Sequence, residues 1–426
     1  LLREEGGPML FAAPLFSELP NVRVLSNGEF IWHSERSGWG HLYLYDAEGE
    51  LKNAITSGEW LARSIVRVDE DAGVVWISGT GREGGDIYDQ KLYRVALDGS
   101  SVKLITPEAG DHLLYPERHS GVLTANMLLQ PPPAPVFSPA GDLFVDRVAA
   151  DGSLGSWTLR QVDGEIVTEL ARDDYSQLPP LGMPERFTVK SADGNYTLYG
   201  TLILPPDFDP AKQYPVVEYI YPGPQVTVRL LGGMMGNGTL GQLQALAQLG
   251  FVVYMIDGRG TPLRSREFLL HAWGNMDKAG NLEDHISGLK QLAKTRPWLD
   301  LERVGICGSS AGGLAAAHAL LDYPDFYKVG VSSAGVHENR AYINLWGEIF
   351  HDKLDQVDEK GNSTYEKVFP GVNAHQLKGK LLIAHGEMDE NVHPAMTYRL
   401  VDSLTKAGKR FDMLMMPNIN HRIGDD

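Results

Sequence analysis

Residues 308–313, Gly308-Ser309-Ser310-Ala311-Gly312-Gly313, set a serine hydroxyl between glycines at the G-x-S-x-G spacing. Arg303-Val304-Gly305-Ile306-Cys307 precedes them as a short apolar run, and 314–321, rich in alanine and leucine, follow as a helix. A strand, a tight turn and a helix are the setting in which this spacing lifts a serine oxygen above the C-terminal edge of a sheet. The helix N-terminus then directs backbone N–H groups at any anion formed there. The chemistry expected is nucleophilic attack by Ser310 on an acyl carbon. A glycine-serine loop can match five positions by chance, but here both flanking elements are in place.

A serine hydroxyl attacks readily only when a base takes its proton and a third group orients that base. With a strand–elbow–helix nucleophile the chain order is serine, acid, histidine. Beyond the apolar run 411–416 stands one histidine, His421, which its position makes the base. After the run 380–384, the segment His385-Gly386-Glu387-Met388-Asp389-Glu390-Asn391-Val392-His393 offers three acids. Asp389 is preferred and Glu387 and Glu390 are read as solvated loop carboxylates, although position alone does not decide. His385 and His393 invite a metal reading, but no third ligand at suitable spacing and no His-Glu-x-x-His occurs. Capping and loop hydrogen bonds are expected of both, and neither a metal nor a cofactor is expected. A tetrahedral intermediate also needs an oxyanion hole. The Ala311 N–H supplies one donor; the second is a backbone donor of Tyr221-Pro222-Gly223-Pro224 or the Tyr221 hydroxyl.

The elements that must hold these residues change character along the chain. From about 20 to 175, short β-branched and aromatic runs such as 30–34, 41–45 and 74–78 alternate with turns such as Asp98-Gly99-Ser100 and Asp151-Gly152-Ser153. Units of roughly forty to fifty residues have about the period of a propeller blade. Three are expected, near 21–62, 63–110 and 120–172, with Gln130-Pro131-Pro132-Pro133-Ala134-Pro135 as an extended connector. From about 185 strands and helices alternate: strands at 216–221, 251–256, 303–307, 328–332, 380–384 and 411–416, and helices at 240–247, 282–293, 314–321 and 394–406. Continuous apolar strands between helices imply a mostly parallel sheet covered on both faces. The fold class is therefore α/β, an α/β-hydrolase domain over 181–426 preceded by a partial all-β propeller-like domain over 1–180.

Composition narrows the partners. The chain has 426 residues, 43% of them hydrophobic, with a formal net charge of −17. Two domains with sizeable cores fit that length, and the acidic balance disfavours nucleic acid. No uninterrupted apolar run reaches the length of a membrane span, so no membrane partner is expected. Cys307 is the single cysteine, which excludes an intramolecular disulfide; inside a strand it is read as a small hydrophobe. The opening Leu1-Leu2-Arg3-Glu4-Glu5-Gly6 carries neither an initiator methionine nor a signal-peptide pattern. A start inside a longer frame, or after processing, is expected, and localisation stays open.

Taken together these residues resemble the prolyl oligopeptidase family of serine peptidases, and within it the dipeptidyl peptidase IV branch. The resemblance rests on Tyr221-x-Gly223-Pro224, Asp257-Gly258-Arg259-Gly260, the elbow, His385-Gly386-x-x-Asp389-x-Asn391-Val392-His393 and His421. It covers nearly all of 185–421, and Ser34-Glu35-Arg36-Ser37-Gly38-Trp39-Gly40-His41-Leu42-Tyr43 extends it into the β-rich half. It implies Ser310 as nucleophile, Asp389 as acid, His421 as base and the Tyr221 hydroxyl as second oxyanion donor. It also implies that Asn391 binds a substrate carbonyl, and that Val336, Tyr342, Trp346 and Val392 line a proline-accepting S1 pocket. Without it, Tyr342 and Trp346 read as a helix face packed into the core.

The chain departs from this pattern in several places. Ala311 stands where the family often has tyrosine, which implies a wider pocket; Trp346 stands where the branch commonly has tyrosine, and Asn339 where it tends to have tryptophan. Glu4-Glu5 does not match the surroundings of the glutamate pair that anchors a substrate amino terminus, and is read as a chance doublet. The N-terminal blades and the closing helix after the histidine are expected to be missing. Loss of that helix would expose apolar sheet surface and favour association into a homo-oligomer. The implied activity is a serine hydrolase working through an acyl-enzyme on a small peptide or ester, foremost a proline-preferring, dipeptidyl peptidase-like enzyme. A carboxylesterase for small activated esters is the alternative, favoured by an open site, and a catalytically silent binding protein is a remote third.

Overall fold

The computed structural model describes residues 22–112, 137–149, 155–174, 176–177, 180–182, 184–224, 226–229, 240–276, 281–351, 353–354, 357, 361 and 363–421. The doublet Glu4-Glu5, the connector 130–135 and the turn 151–153 lie outside them. The chain divides into two compact units: Leu1–Pro179 with Leu230–Leu240 and Pro262–Phe268, and Pro180–Arg229 with Gly241–Thr261 and Leu269–Asp426.

In the first unit the alternating runs form three four-stranded antiparallel meanders. They are β1 (Val22–Val24) to β4 (Leu51–Ala54), β5 (Leu61–Asp69) to β8 (Val102–Leu104), and β9 (Asp111–His112) with β10 (Leu143–Ala149), β11 (Ser156–Gln161) and β12 (Ile166–Arg172). Ile31 and Leu42 of the first sheet pack on Ile65, Val75 and Ile77 of the second. Trp76 and Leu92 pack in turn against Phe144 of the third. This is the partial propeller expected, with two boundaries corrected: 61–62 open the second blade, and the third takes its first strand from 111–112 rather than starting near 120. No apolar period marks β9, because polar bonds hold it. The Asp111 carboxylate accepts the Gln90 N–H at 2.8 Å, and the His112 ring meets the buried Asp146 at 2.9 Å.

The second unit is built on one eight-stranded sheet, ordered β13-β14-β16-β15-β17-β18-β19-β20. The strands are β13 (Pro184–Lys190), β14 (Thr197–Ile203), β15 (Tyr214–Tyr219), β16 (Val252–Asp257), β17 (Leu299–Ser309), β18 (Tyr327–Ser333), β19 (Lys380–Gly386) and β20 (Asp412–Met416). The run from β16 to β20 is parallel, whereas β13 and β14 pair antiparallel with their neighbours, a pair that periodicity did not reveal. Helices α1 (Leu240–Gln248), α2 (Leu282–Ala293), α3 (Ala311–Asp322), α4 (Asn344–His351) and α5 (Ala395–Lys406) accompany the strands. Parallel strands bring their C-terminal ends to one edge, so the loops after β15, β17, β19 and β20 converge. The sheet order makes β15, β17, β18, β19 and β20 successive neighbours, which sets those loops side by side.

Asp257-Gly258-Arg259-Gly260 proves to be scaffold. Asp257 accepts the Val228 N–H at 2.8 Å, and burial pushes its carboxyl up to about 6 against the pull of that bond. Arg259 is buried and grips Asp284, Asp193 and Glu283 at 2.7–2.9 Å, tying α2 to the turn after β13. A Cβ at Gly260 would fall 2.7 Å from that of Ala272, so only glycine fits there. Arg259→Met would leave the fully buried Asp284 carboxylate without its cation, a loss of roughly 3–5 kcal/mol in stability. Urea denaturation of the two proteins should show that drop; an unchanged midpoint would contradict the clamp.

Candidate active site

The turn from β17 into α3 puts Ser310 at φ 60°, ψ −118°, a backbone region that non-glycine residues occupy only when the surroundings enforce it. Here they do. The Ser310 N–H donates to Ser333 O at 2.9 Å, and Ser310 O accepts from Leu314 at 3.1 Å and Val336 at 3.3 Å. The flanking glycines serve close approach. A Cβ on Gly308 would lie 2.5 Å from Ile220 O, and one on Gly312 would lie 2.3 Å from the same oxygen. The elbow thus packs directly on Ile220, the residue after β15, whose N–H donates to Cys307 O at 3.0 Å. That contact brings the Tyr221 backbone against Gly312 and the start of α3, where Ala311 opens the helix and the first N–H groups have no intrahelical acceptor. Ala311 and the Tyr221 backbone therefore belong to one packed contact. Beside it, burial and the nearby Glu218 charge push the Cys307 thiol up to about 12, so it stays a protonated, unreactive side chain.

The acid and the histidine come from crossing loops. Glu387 N–H donates to Met416 O and Met388 N–H to Ile419 O, each at 2.9 Å. A Cβ on Gly386 would meet Ile419 O at 2.3 Å and Asn420 O at 2.4 Å, so the two loops touch through a glycine. The crossing delivers His421 Nδ1 to Asp389 Oδ2 at 2.8 Å. Asp389 is buried, whereas Glu387 and Glu390 are exposed, which separates the three acids that position left open. Its Oδ1 accepts from the N–H groups of Asn391 (3.0 Å) and Val392 (2.8 Å). Burial works to raise this carboxyl, but hydrogen bonds from His385 and His421 outweigh it and hold it well below the usual carboxylate range. An ionised Asp389 fixes the proton on His421 Nδ1 and leaves Nε2 as the basic nitrogen.

His385 and His393 take the loop roles expected of them. His385 Nε2 lies 2.8 Å from Val392 O and 3.1 Å from Asp389 Oδ2, and its Nδ1 is 2.8 Å from the Thr397 hydroxyl. With only acceptors near Nε2, that nitrogen carries the proton. His393 Nδ1 accepts the Ala395 N–H at 3.1 Å at the start of α5.

The residues assigned to the pocket gather beside this pair. Val336 and Val392 form a small apolar cluster with Met396, and Tyr342 packs on it. The Tyr342 hydroxyl donates to Asn391 Oδ1 at 2.6 Å, which leaves the Asn391 NH2 as the end able to bind a carbonyl. Burial, and then the neighbouring Tyr221 and Asp389, raise the Tyr342 phenol, so it remains a donor. Trp346 is buried on α4 and stands edge-on to Tyr342 and Phe350, with ring centroids 6.0 and 4.5 Å away. It is thus part of the helix core as well as a neighbour of Tyr342. The sequence reading assigned no role to Met396, and none to Asn339 and His351, which bond to each other behind Trp346. Nothing in local periodicity marks those three; their partners lie on other elements.

Comparison with known proteins gives the family. Residues 239–426 match the prolyl oligopeptidase family, and residues 13–125 match the dipeptidyl peptidase IV N-terminal region. The chain belongs to the prolyl oligopeptidase family. Within it, the chain is a dipeptidyl peptidase IV-like member. It is 30% identical to human dipeptidyl peptidase 8 over 93% of this chain and 45% of that protein. It is 27% identical to dipeptidyl peptidase 4 of Trichophyton rubrum over 89% of this chain and 46% of that protein. The solved structure of Porphyromonas gingivalis dipeptidyl peptidase 4 shares the fold, with a TM-score of 0.76 and 24% identity over 94% of this chain and 52% of that one. The chain spans about half the length of these relatives.

The elbow contact is open to a direct test. Gly312→Ala would force the β15 end away from α3 and displace the Ser310 turn, and misplacement near 1 Å costs about a hundredfold in rate. Hydrolysis of a short-chain nitrophenyl ester should fall by that order. Gly241→Ala, at an exposed helix position with open space around it, should leave the rate unchanged. Equal rates for Gly312→Ala and the unaltered chain would refute the packing argument.

Proposed function

We propose that this chain is the catalytic part of a proline-preferring serine dipeptidyl peptidase that works through an acyl-enzyme. The observation that carries the reading is the Asp389–His421 pair, buried and bonded at 2.8 Å, on the same sheet edge as the Ser310 elbow. In the proposed cycle His421 Nε2 takes the proton as Ser310 Oγ attacks the substrate carbonyl. Charge builds on the carbonyl oxygen, where the Ala311 N–H and the Tyr221 hydroxyl receive it. The tetrahedral intermediate then expels the amine, which takes its proton from His421, and leaves an ester on Ser310. Water enters by the same proton path in reverse and frees the acid. Asn391 holds the carbonyl of the preceding residue, and Val336, Tyr342, Trp346 and Val392 surround a proline ring. Residues 1–180 and 181–426 serve in this reading as a propeller segment and a hydrolase domain.

Names of the relatives support the substrate class: those proteins are called dipeptidyl peptidases. An activated ester needs only the nucleophile, the base and the oxyanion donors, because its leaving group departs unaided. The chain should therefore hydrolyse nitrophenyl acetate. It should also release nitroaniline from an aminoacyl-prolyl anilide faster than from the matching aminoacyl-leucyl anilide. Ester hydrolysis with no cleavage of either anilide would overturn the peptidase reading in favour of an esterase.

A further inference from the structure

We infer that Asn339 is a specificity-determining positioning residue, whose side chain braces the wall of the proline pocket from behind. The inference rests on the pocket reading proposed above and deepens it. Asn339 is buried in the loop between β18 and α4, at 2% exposure, and its amide bonds three ways. Its Nδ2 donates to Val336 O at 3.1 Å. Its Oδ1 accepts from the Trp346 indole Nε1 at 3.2 Å and from His351 Nε2 at 3.3 Å.

These bonds join two walls of the pocket. Val336 sits in the loop that follows β18, where its N–H donates to Ser310 O of the elbow. Trp346 and His351 sit on α4. One amide therefore couples the position of the nucleophile loop to the rotation of the indole. The indole in turn stands edge-on to Tyr342, whose hydroxyl fixes Asn391. A change at Asn339 reaches the substrate only through these neighbours, which makes it a positioning residue and not a catalytic one.

The chemistry of the three partners explains why an amide is needed. Val336 O can only accept, so it requires a donor. The indole N–H can only donate, so it requires an acceptor. Asparagine is the shortest side chain that offers both from one planar group. His351 fits the same polarity, since burial pushes its imidazole down to about 4 and keeps it neutral, with Nε2–H toward Asn339. A leucine at 339 has nearly the same shape but would leave two buried N–H groups and a carbonyl without partners. The indole would then turn toward another acceptor, and the ring that selects proline would move with it. The identity of residue 346 belongs to the same device, because tyrosine has no N–H at that place to bond the amide.

The test is a ratio of kcat/KM values, aminoacyl-prolyl over aminoacyl-leucyl anilide, which does not depend on how much enzyme is folded. Asn339→Leu should lower that ratio by about tenfold, the scale at which small misfits in a pocket are discriminated. Most of the change should fall on KM for the prolyl substrate, with hydrolysis of nitrophenyl acetate affected far less. In a Trp346→Phe background, which lacks the indole N–H, the same substitution should change the ratio less than twofold, because the bond through which Asn339 sets the ring is already gone. Should Asn339→Leu yield no folded protein, Asn339→Ser, which leaves room for water at the orphaned groups, takes its place with the same expectation. An unaltered chain that prefers proline, with a ratio unmoved by either substitution, would overturn the inference alone. An unaltered chain without any preference for proline would overturn the pocket reading and the inference with it.

Discussion

The rest of the site depends on one buried carboxylate. Asp389 takes four hydrogen bonds, two from backbone N–H groups of its own loop and one each from His385 and His421. A buried charge is tolerated only when its lone pairs are met, and here every partner is also a piece of site geometry. The backbone bonds shape the turn that carries Asn391 and Val392. The imidazole bond orients His421 and fixes its proton. His385 reaches across to Val392 O and so locks that turn to the end of β19. Because the carboxyl stays ionised far into acid, this arrangement persists throughout the range in which a histidine can act as a base.

Close backbone packing does for the nucleophile what hydrogen bonding does for the acid. Gly308 and Gly312 let α3 and β17 approach Ile220, and Gly386 lets the acid loop touch the histidine loop. Each contact joins loops that are far apart in sequence but neighbours on the sheet edge. The order β15-β17-β18-β19-β20 places the loop of Tyr221, the elbow, the loop of Val336, Asp389 and His421 in succession. The parallel sheet is what turns separated motifs into one site.

Much of this was legible in the chain. Helix 282–293 was read to the residue, and the parallel strands to within a few positions, because their apolar runs are continuous and bounded. The elbow was legible because its meaning depends on local context alone. What escaped reading was long-range polar pairing. The strand 111–112 is fixed by Gln90 and Asp146, residues of other strands. The antiparallel strands β13 and β14 lie before the first strand that was read, at 216. Position alone left Glu387 and Glu390 beside Asp389; the sequence reading preferred Asp389, and its burial now separates it from the two exposed glutamates. Asn339 and His351 carry no motif, and their importance lies in bonds made across the β18–α4 loop.

The most direct measurement is covalent labelling by a fluorophosphonate, with the adduct located by peptide mass spectrometry. The account predicts one phosphonylated residue, Ser310, no labelling of Ser310→Ala, and labelling of Asp389→Asn slowed by roughly a thousandfold or more, because the asparagine would present His421 in the wrong tautomer. An adduct on another residue, or an Asp389→Asn protein that labels as fast as the unaltered chain, would contradict it.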